Sequence, residues 1–490
     1  MTLRRSLFVK NSHHVPTVAS DEVFPLHFID RSASLRNPVH VSTWYFDDVL
    51  DGDKLYKSLD DLLHLGDWRK FGGRFRQDKG GKVEVHVPEH FTSDRPSIRY
   101  SHDSLPMRAA EHPLASRVPK VSSQPTFHQA TEEFLLPLTV RPGMPHAMED
   151  YLSSDEPLLS LRVVVFLDAT IVSLAWPHAV MDAVGMSILI QSWSLILAGR
   201  EKEILTLDGV REDLLYRATL KPAAERFALE PYMLAGFRLF LLLLRFVCDI
   251  LFGGRRENRI VYLPKKSVET LHSRAMCEIN LHRKEPLRIS RSDAILSLFS
   301  RSLVLAQKRP LLVIAPMDLR SRLKDIFLSS MLYPQNAIQG CHFTVNADET
   351  TTKSIGPLAL AFRQNIIRQG GHQQLLAMLR CNRELSDSGG DPATLYGPSN
   401  ATIMSATNLN KANLLSIPNF APAVIGEKCS EKATGARGLP SFFNTSHSRL
   451  VWRRGNILMN LGVDQDGGHW INGSFNVRTW KQIEDSLKDL

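Results

Sequence analysis

Apolar positions along the chain repeat with two different periods. Spacings of three and four residues over 58–65, 185–198, 293–307, 358–368 and 479–487 predict amphipathic helices, and Ser290 and Asp293 stand at capping-box spacing ahead of the third. Alternating or continuous apolar runs at 82–87, 161–167, 170–175, 311–315, 456–463 and 470–475 predict strands. The Gly- and Asp-rich stretch 464–468 between the last two fits an antiparallel hairpin. Strands followed by helices occur in both halves, with a polar, turn-rich stretch at 198–226 between them. The pattern predicts an α/β protein of two units, residues 1–210 and 211–490. Residues 386–400 read as an exposed loop, and the lack of any fixed-period repeat argues against a solenoid.

The most apolar segment is PYMLAGFRLFLLLLRFVCDILFGG, residues 231–254. Arg238, Arg245 and Asp249 leave it short of the roughly 18 uninterrupted apolar residues of a membrane span. At helical spacing those charges fall on one narrow stripe. The segment is expected to be a helix largely buried between the two units, with an interfacial membrane helix as the alternative.

Composition narrows the class. A chain of 490 residues exceeds one compact core, and 43% hydrophobic with 22% charged residues excludes collagen-like, coiled-coil and mainly disordered chains. The balance of 59 Lys plus Arg against 51 Asp plus Glu gives +8 without a long single-sign block, which suits a small anionic ligand. Arg69, Lys70, Arg74, Arg76, Lys79 and Lys82 are interrupted by glycines and Asp78 and read as a turn between strands. No basic stripe carries interleaved stacking aromatics, so no nucleic-acid partner is expected. Cys248, Cys277, Cys341, Cys381 and Cys429 form no CxxC pair, which argues against a disulfide framework or thiolate metal site and for a reducing, cytoplasmic setting. The opening MTLRRSLFVKNSHHVP lacks the apolar stretch of a signal peptide, so the sequons at Asn400, Asn444 and Asn472 carry little weight.

Phosphate-loop, dinucleotide, zincin and nucleophile-elbow signatures are missing from the sequence. His86 and His90 flank Pro88 in a strand context that does not suit a metal pair. A histidine followed four residues later by aspartate occurs at His90–Asp94, His146–Asp150 and His178–Asp182, and spacing alone does not choose among them. Context does. His178 closes the apolar strand TIVSLAWP and precedes Ala179, Ala183 and Gly185 at the start of a long helix. A strand-to-turn junction holds a side chain on rigid backbone while leaving it open to a cleft, as a general base requires. On these residues alone, the competing assignment is a satisfied core histidine with Asp182 as a helix-start acid.

With its neighbours, WPHAVMDAVG resembles the HxxxDG motif of the BAHD superfamily of coenzyme-A-dependent acyltransferases, in its fungal branch. FPLHFIDRSASL, ISRSDAILSLF, APMDLRSRL, YPQNA and TNLNKANLLSIPNFAPAV resemble further motifs of that family in serial order, nearly end to end. Ala183 stands where the family has glycine, residues 419–423 replace its DFGWG, and Leu409 replaces the tryptophan after the late threonine.

The resemblance implies two chloramphenicol-acetyltransferase-like domains, each a mixed sheet with helices, and a channel at their interface. It implies His178 as general base, Asp182 as a structural partner orienting the loop through an arginine, and Thr407 as a hydroxyl that helps the oxyanion. Gly185, Arg320 and Asn336 would shape the channel and hold the domains together, and Arg322 and Lys411 are candidates for the coenzyme phosphates. The co-substrate would be acyl-CoA, foremost acetyl-CoA, with no metal, a small-molecule acceptor and a monomeric enzyme. The implied activity is O-acetyl transfer to a hydroxyl of a fungal secondary metabolite. Leu409 and the altered late motif motivate one alternative, a non-catalytic or regulatory protein that kept the fold. A condensation-type domain using carrier-bound substrates is the other.

Overall fold

Three sheets organise the chain in a computed structural model that describes residues 15–222, 224–281, 284–347, 354–426, 436–448 and 455–488. In chain order the strands are β1 (Glu22–Pro25), β2 (Val39–Phe46), β3 (Arg74–Gln77), β4 (Val83–Val87), β5 (Arg99–Ser104), β6 (Thr126–Gln129), β7 (Ser160–Val165) and β8 (Thr170–Pro177). They continue with β9 (Arg256–Leu263), β10 (Leu311–Asp318), β11 (Ile338–Val345), β12 (Thr402–Asn408), β13 (Phe442–His447), β14 (Asn456–Val463) and β15 (His469–Asn476). One sheet runs β13-β2-β8-β7-β5, a second β11-β10-β12-β14-β15-β9-β6, and a small third β1-β4-β3. The first two are mixed, with β5/β7, β10/β12 and β12/β14 parallel. Each large sheet takes one edge strand from the other half of the chain, β6 in one case and β13 in the other.

Two cores accompany the two large sheets. The first gathers most of the apolar residues up to Val210, and the second joins Phe28 and Ile29 to most of those from Leu214 to Leu487. Helix Gly52–Leu63 buries Leu55, Leu59, Leu62 and Leu63, the i, i+4, i+7, i+8 face its pattern dictates. Helix Ala183–Leu197 lies beside it, and Trp193 donates its indole N–H to the Leu55 carbonyl at 3.1 Å. The capping box forms: the Ser290 N–H donates to Asp293 Oδ2 at 2.7 Å and the Asp293 N–H to Ser290 Oγ at 3.2 Å. The hairpin closes where expected, with the Asp464 N–H donating to the Gly468 carbonyl at 2.9 Å and Gly467 in the left-handed region at φ 86°.

Three expectations are corrected. The basic cluster at 69–82 is not one turn: Lys70, Arg74 and Arg76 are buried, and only 78–82 turns. Arg74 donates to the carbonyls of Gly72 and Pro96 at 2.8 and 2.7 Å and lies 3.8 Å from the Asp155 carboxylate, so backbone acceptors and one acid satisfy a charge that composition would place in water. The stretch 386–400 is loop only from residue 388, because helix His372–Asp387 runs into it.

The third correction concerns 231–254. Helix Gly236–Phe252 lies on the surface, burying Leu242 while Phe237, Phe240, Leu244, Val247 and Leu251 are exposed. Two of its three charges find partners on the protein side, where Arg309 holds Asp249 at 2.6 and 2.7 Å and Arg238 donates to the Gly397 carbonyl at 3.3 Å, while Arg245 is exposed. The helix therefore turns leucines and phenylalanines outward. Among the described residues no helix is long and apolar enough to cross a membrane. Asn444 and Asn472 are buried, and Cys429 and residues 1–14 lie outside the described residues.

Candidate active site

His178 follows the last residue of β8, where the strand's fully buried run ends on a half-buried ring. Its backbone N–H donates to the Pro38 carbonyl at 2.9 Å, tying the turn to the start of β2. The ring Nδ1 lies 3.1 Å from the Met181 carbonyl. A carbonyl can only accept, so Nδ1 carries the proton and Nε2 keeps its lone pair. Burial holds the imidazole below its ordinary 6.5, against the opposing pull of Asp182, so the ring is neutral at pH 7.

Asp182 does not relay a proton to that ring. It caps helix Ala183–Leu197, with Oδ1 accepting the Gly185 N–H at 2.9 Å, and Oδ2 accepts the Ala337 N–H at 2.8 Å. Arg320 grips both carboxylate oxygens at 3.1 Å. The same guanidinium donates to the Tyr333 carbonyl at 2.7 Å, to Asp318 at 2.9 Å and to the Gln335 carbonyl. Arg320 follows β10 and Ala337 precedes β11, so this buried fork joins the turn after β8 to the seven-stranded sheet.

Asn336 makes a second bridge, its amide donating to the His178 carbonyl and to Asp30 Oδ1, each at 2.8 Å. Burial pushes the Asp30 carboxyl up to about 7, and beside it His27 Nδ1 meets the Tyr333 hydroxyl at 2.9 Å. The motif FPLHFIDRSASL is thereby built into the support beneath the histidine turn.

Gly185 permits the close approach of the two halves. A Cβ there would come within 1.8 Å of the Pro334 carbonyl oxygen. Neither the helix nor the backbone at Pro334 can retreat without disturbing Asp182 and Arg320. Gly185→Ala is expected to lower stability by about 1–3 kcal/mol in urea unfolding, as overpacking does.

The remaining sequence candidates stand apart. Thr407 is half-buried on β12, and among the described residues no hydrogen bond links it to His178. Leu409, in the tryptophan position, is buried with its N–H on the Asn460 carbonyl at 2.8 Å. Arg322 donates to the Gly370 carbonyl at 3.2 Å, whereas Lys411 is exposed with its ammonium 3.3 Å from Ser321 Oγ.

Sequence reasoning missed the aromatic surround of His178. His40 meets its ring edge to face at 4.8 Å between centroids, Trp176 at 5.5 Å, and His447 continues the row 4.5 Å beyond His40. The register makes this row, since His40 pairs with Trp176 across β2/β8 and with His447 across β13/β2. Burial and the neighbouring His178 bring His447 down to about 4. Among the described residues no group of three or more His, Cys, Asp or Glu is placed to hold a metal ion.

No protein-family model matches the chain. The O-acetyltransferase PaAT-2 of Phomopsis amygdali is 30% identical over 494 residues, covering 97% of this chain and 99% of that protein. The acetyltransferase pyiB of Pyricularia grisea is 32% identical over 485 residues, covering 96% and 95%. Among solved structures, F. sporotrichioides TRI101 complexed with coenzyme A and T-2 superposes with a TM-score of 0.66 at 14% identity, over 93% of this chain and 96% of that one. Vinorine synthase follows at 0.57 and 12% identity, over 97% and 95%.

Proposed function

The chain belongs to the fungal acetyltransferases of the BAHD type, an acyltransferase family with the two-domain chloramphenicol-acetyltransferase-like fold, and from that premise we propose that it acetylates a hydroxyl of a small secondary metabolite at the expense of acetyl-CoA. One observation carries the reading: an imidazole with Nδ1 fixed on the Met181 carbonyl presents Nε2 as a base beside the contacts that join the two large sheets.

The alcohol is too weak an acid to attack a thioester unaided. Nε2 of His178 takes the hydroxyl proton as the oxygen bonds to the thioester carbonyl carbon. The tetrahedral oxyanion draws on Thr407 and nearby backbone donors. Collapse breaks the carbon–sulfur bond, and the departing thiolate takes the proton back from the imidazolium. The products are the ester and free coenzyme A. Asp182 and Arg320 keep the turn in place, Asn336 fixes the His178 carbonyl, and Lys411, which reaches Ser321 beside Arg322, supplies charge with that arginine for the coenzyme phosphates. The chain works as a monomer in a reducing cytoplasm, a setting supported by the free thiols of Cys248, Cys277, Cys341 and Cys381.

The test is incubation with acetyl-CoA and a panel of hydroxylated terpenoids, polyketides and alkaloids, read by mass spectrometry and thiol release. Acetylated product matched by free thiol is the expected result. Turnover only with carrier-bound acyl groups would replace the reading with a condensation reaction, and binding without turnover would leave a non-catalytic protein. Because burial lowers the pKa of His178, the acid limb of kcat/KM should have its midpoint below 6.5. Rates measured between about pH 5 and 8 check this, and a midpoint above 6.5 contradicts a buried, neutral base.

A further inference from the structure

We propose that the outward face of helix Gly236–Phe252 is an interfacial anchor that seats the protein on an anionic lipid surface. Phe237, Phe240, Leu244, Val247 and Leu251 follow one another at three- and four-residue steps and form a continuous exposed apolar strip. Phe237 is 72% exposed and Phe252, at the far end, 81%. Tyr232 and Met233 extend the strip at its start, where an aromatic ring with a hydroxyl suits the headgroup level. Leu234 and Leu242 root the segment in a small cluster with Leu312 and Ala401, so the helix is fixed along the protein.

The charges select the occupant. Arg238, Arg245 and Arg255 are exposed along it, Arg255 lying 3.6 Å from Glu257, while Arg256 is turned to the protein and the one acidic residue of the helix, Asp249, is held by Arg309. The segment therefore offers an excess of cations beside an apolar strip, the complement of acyl chains below anionic headgroups. Seventeen residues make a helix of about 25 Å, and a strip about 10 Å wide offers on the order of 250 Å². A stable contact between two copies needs roughly 800 Å² from each, so this strip alone does not support a dimer. A lipid surface sets no such minimum of complementary shape.

Purified full-length protein is tested by flotation with phosphatidylcholine vesicles with and without phosphatidylserine. Wild type should float with the phosphatidylserine vesicles and be released by salt, and Phe240→Glu/Leu251→Glu should cut the floating fraction about tenfold with unchanged circular dichroism. Arg245→Glu, a single exposed change, should weaken binding to the anionic vesicles and leave the fold alone, keeping the test decisive if the double variant misfolds. Wild type that stays in solution with both vesicles overturns the proposal. So does a dimer by light scattering that the double variant dissociates, since the strip would then serve a second copy. Binding insensitive to both salt and Arg245→Glu removes the anionic headgroup from it.

Discussion

His178→Ala should reduce kcat/KM by about 10²–10⁴-fold while the protein unfolds at an unchanged urea concentration. The loss is chemical because the imidazole is held on the Met181 carbonyl, within its own turn, while the bridges between the halves are anchored elsewhere. Those bridges use its backbone carbonyl and the Asp182 carboxylate, which alanine at 178 leaves in place. His178→Gln sharpens the test: it fills similar space and can donate to the same carbonyl, yet an amide takes no proton near neutral pH. Both variants should be similarly slow, and a glutamine variant at wild-type rate would exclude the imidazole as base. The neighbouring His40 does not substitute, since its ring is centred 4.8 Å away and stacks on Trp176.

Arg320→Ala should destabilise the fold by about 3–5 kcal/mol, the effect of stripping the partner from a buried charge. Asp182 would keep its two backbone N–H donors but lose the guanidinium that spans both its oxygens. The carbonyls of Tyr333 and Gln335 and the Asp318 carboxylate lose a donor at the same time. Arg320→Lys restores one charge without the planar fork and should recover only part of the loss. Urea midpoints of the variants, beside an unshifted His178→Ala, distinguish the positioning pair from the reacting group. Equal stability of Arg320→Ala and wild type would mean that the fork is dispensable.

The histidine was legible because an apolar strand ends on it and small residues begin a helix after it, both of which are local signals. Arg320 lies 138 residues from Asp182, and no periodicity joins them; only the family resemblance pointed to an arginine. His40 and His447 were invisible for the same reason, since strand neighbours are set by register across the sheet. The strand β2, VHVSTWYF, escaped because its polar His40, Ser42 and Thr43 are buried along with its apolar residues, so polarity does not mark an exposed face. Helix Gly236–Phe252 was located correctly and oriented wrongly. Its stripe of charge was plain, but two of its three members, Asp249 and Arg238, are met by Arg309 and the Gly397 carbonyl, which turns the apolar side outward and leaves Arg245 exposed.

The exchange of β6 and β13 between the large sheets governs the order of assembly. During synthesis the first half emerges with β2 flanked on one side only, and its missing neighbour arrives more than two hundred residues later. Until then a long, apolar strand edge is open to any passing chain, a hazard that a ribosome-bound chaperone would relieve. The five-stranded sheet is complete only once β13 is made, so the first half cannot close its own edge.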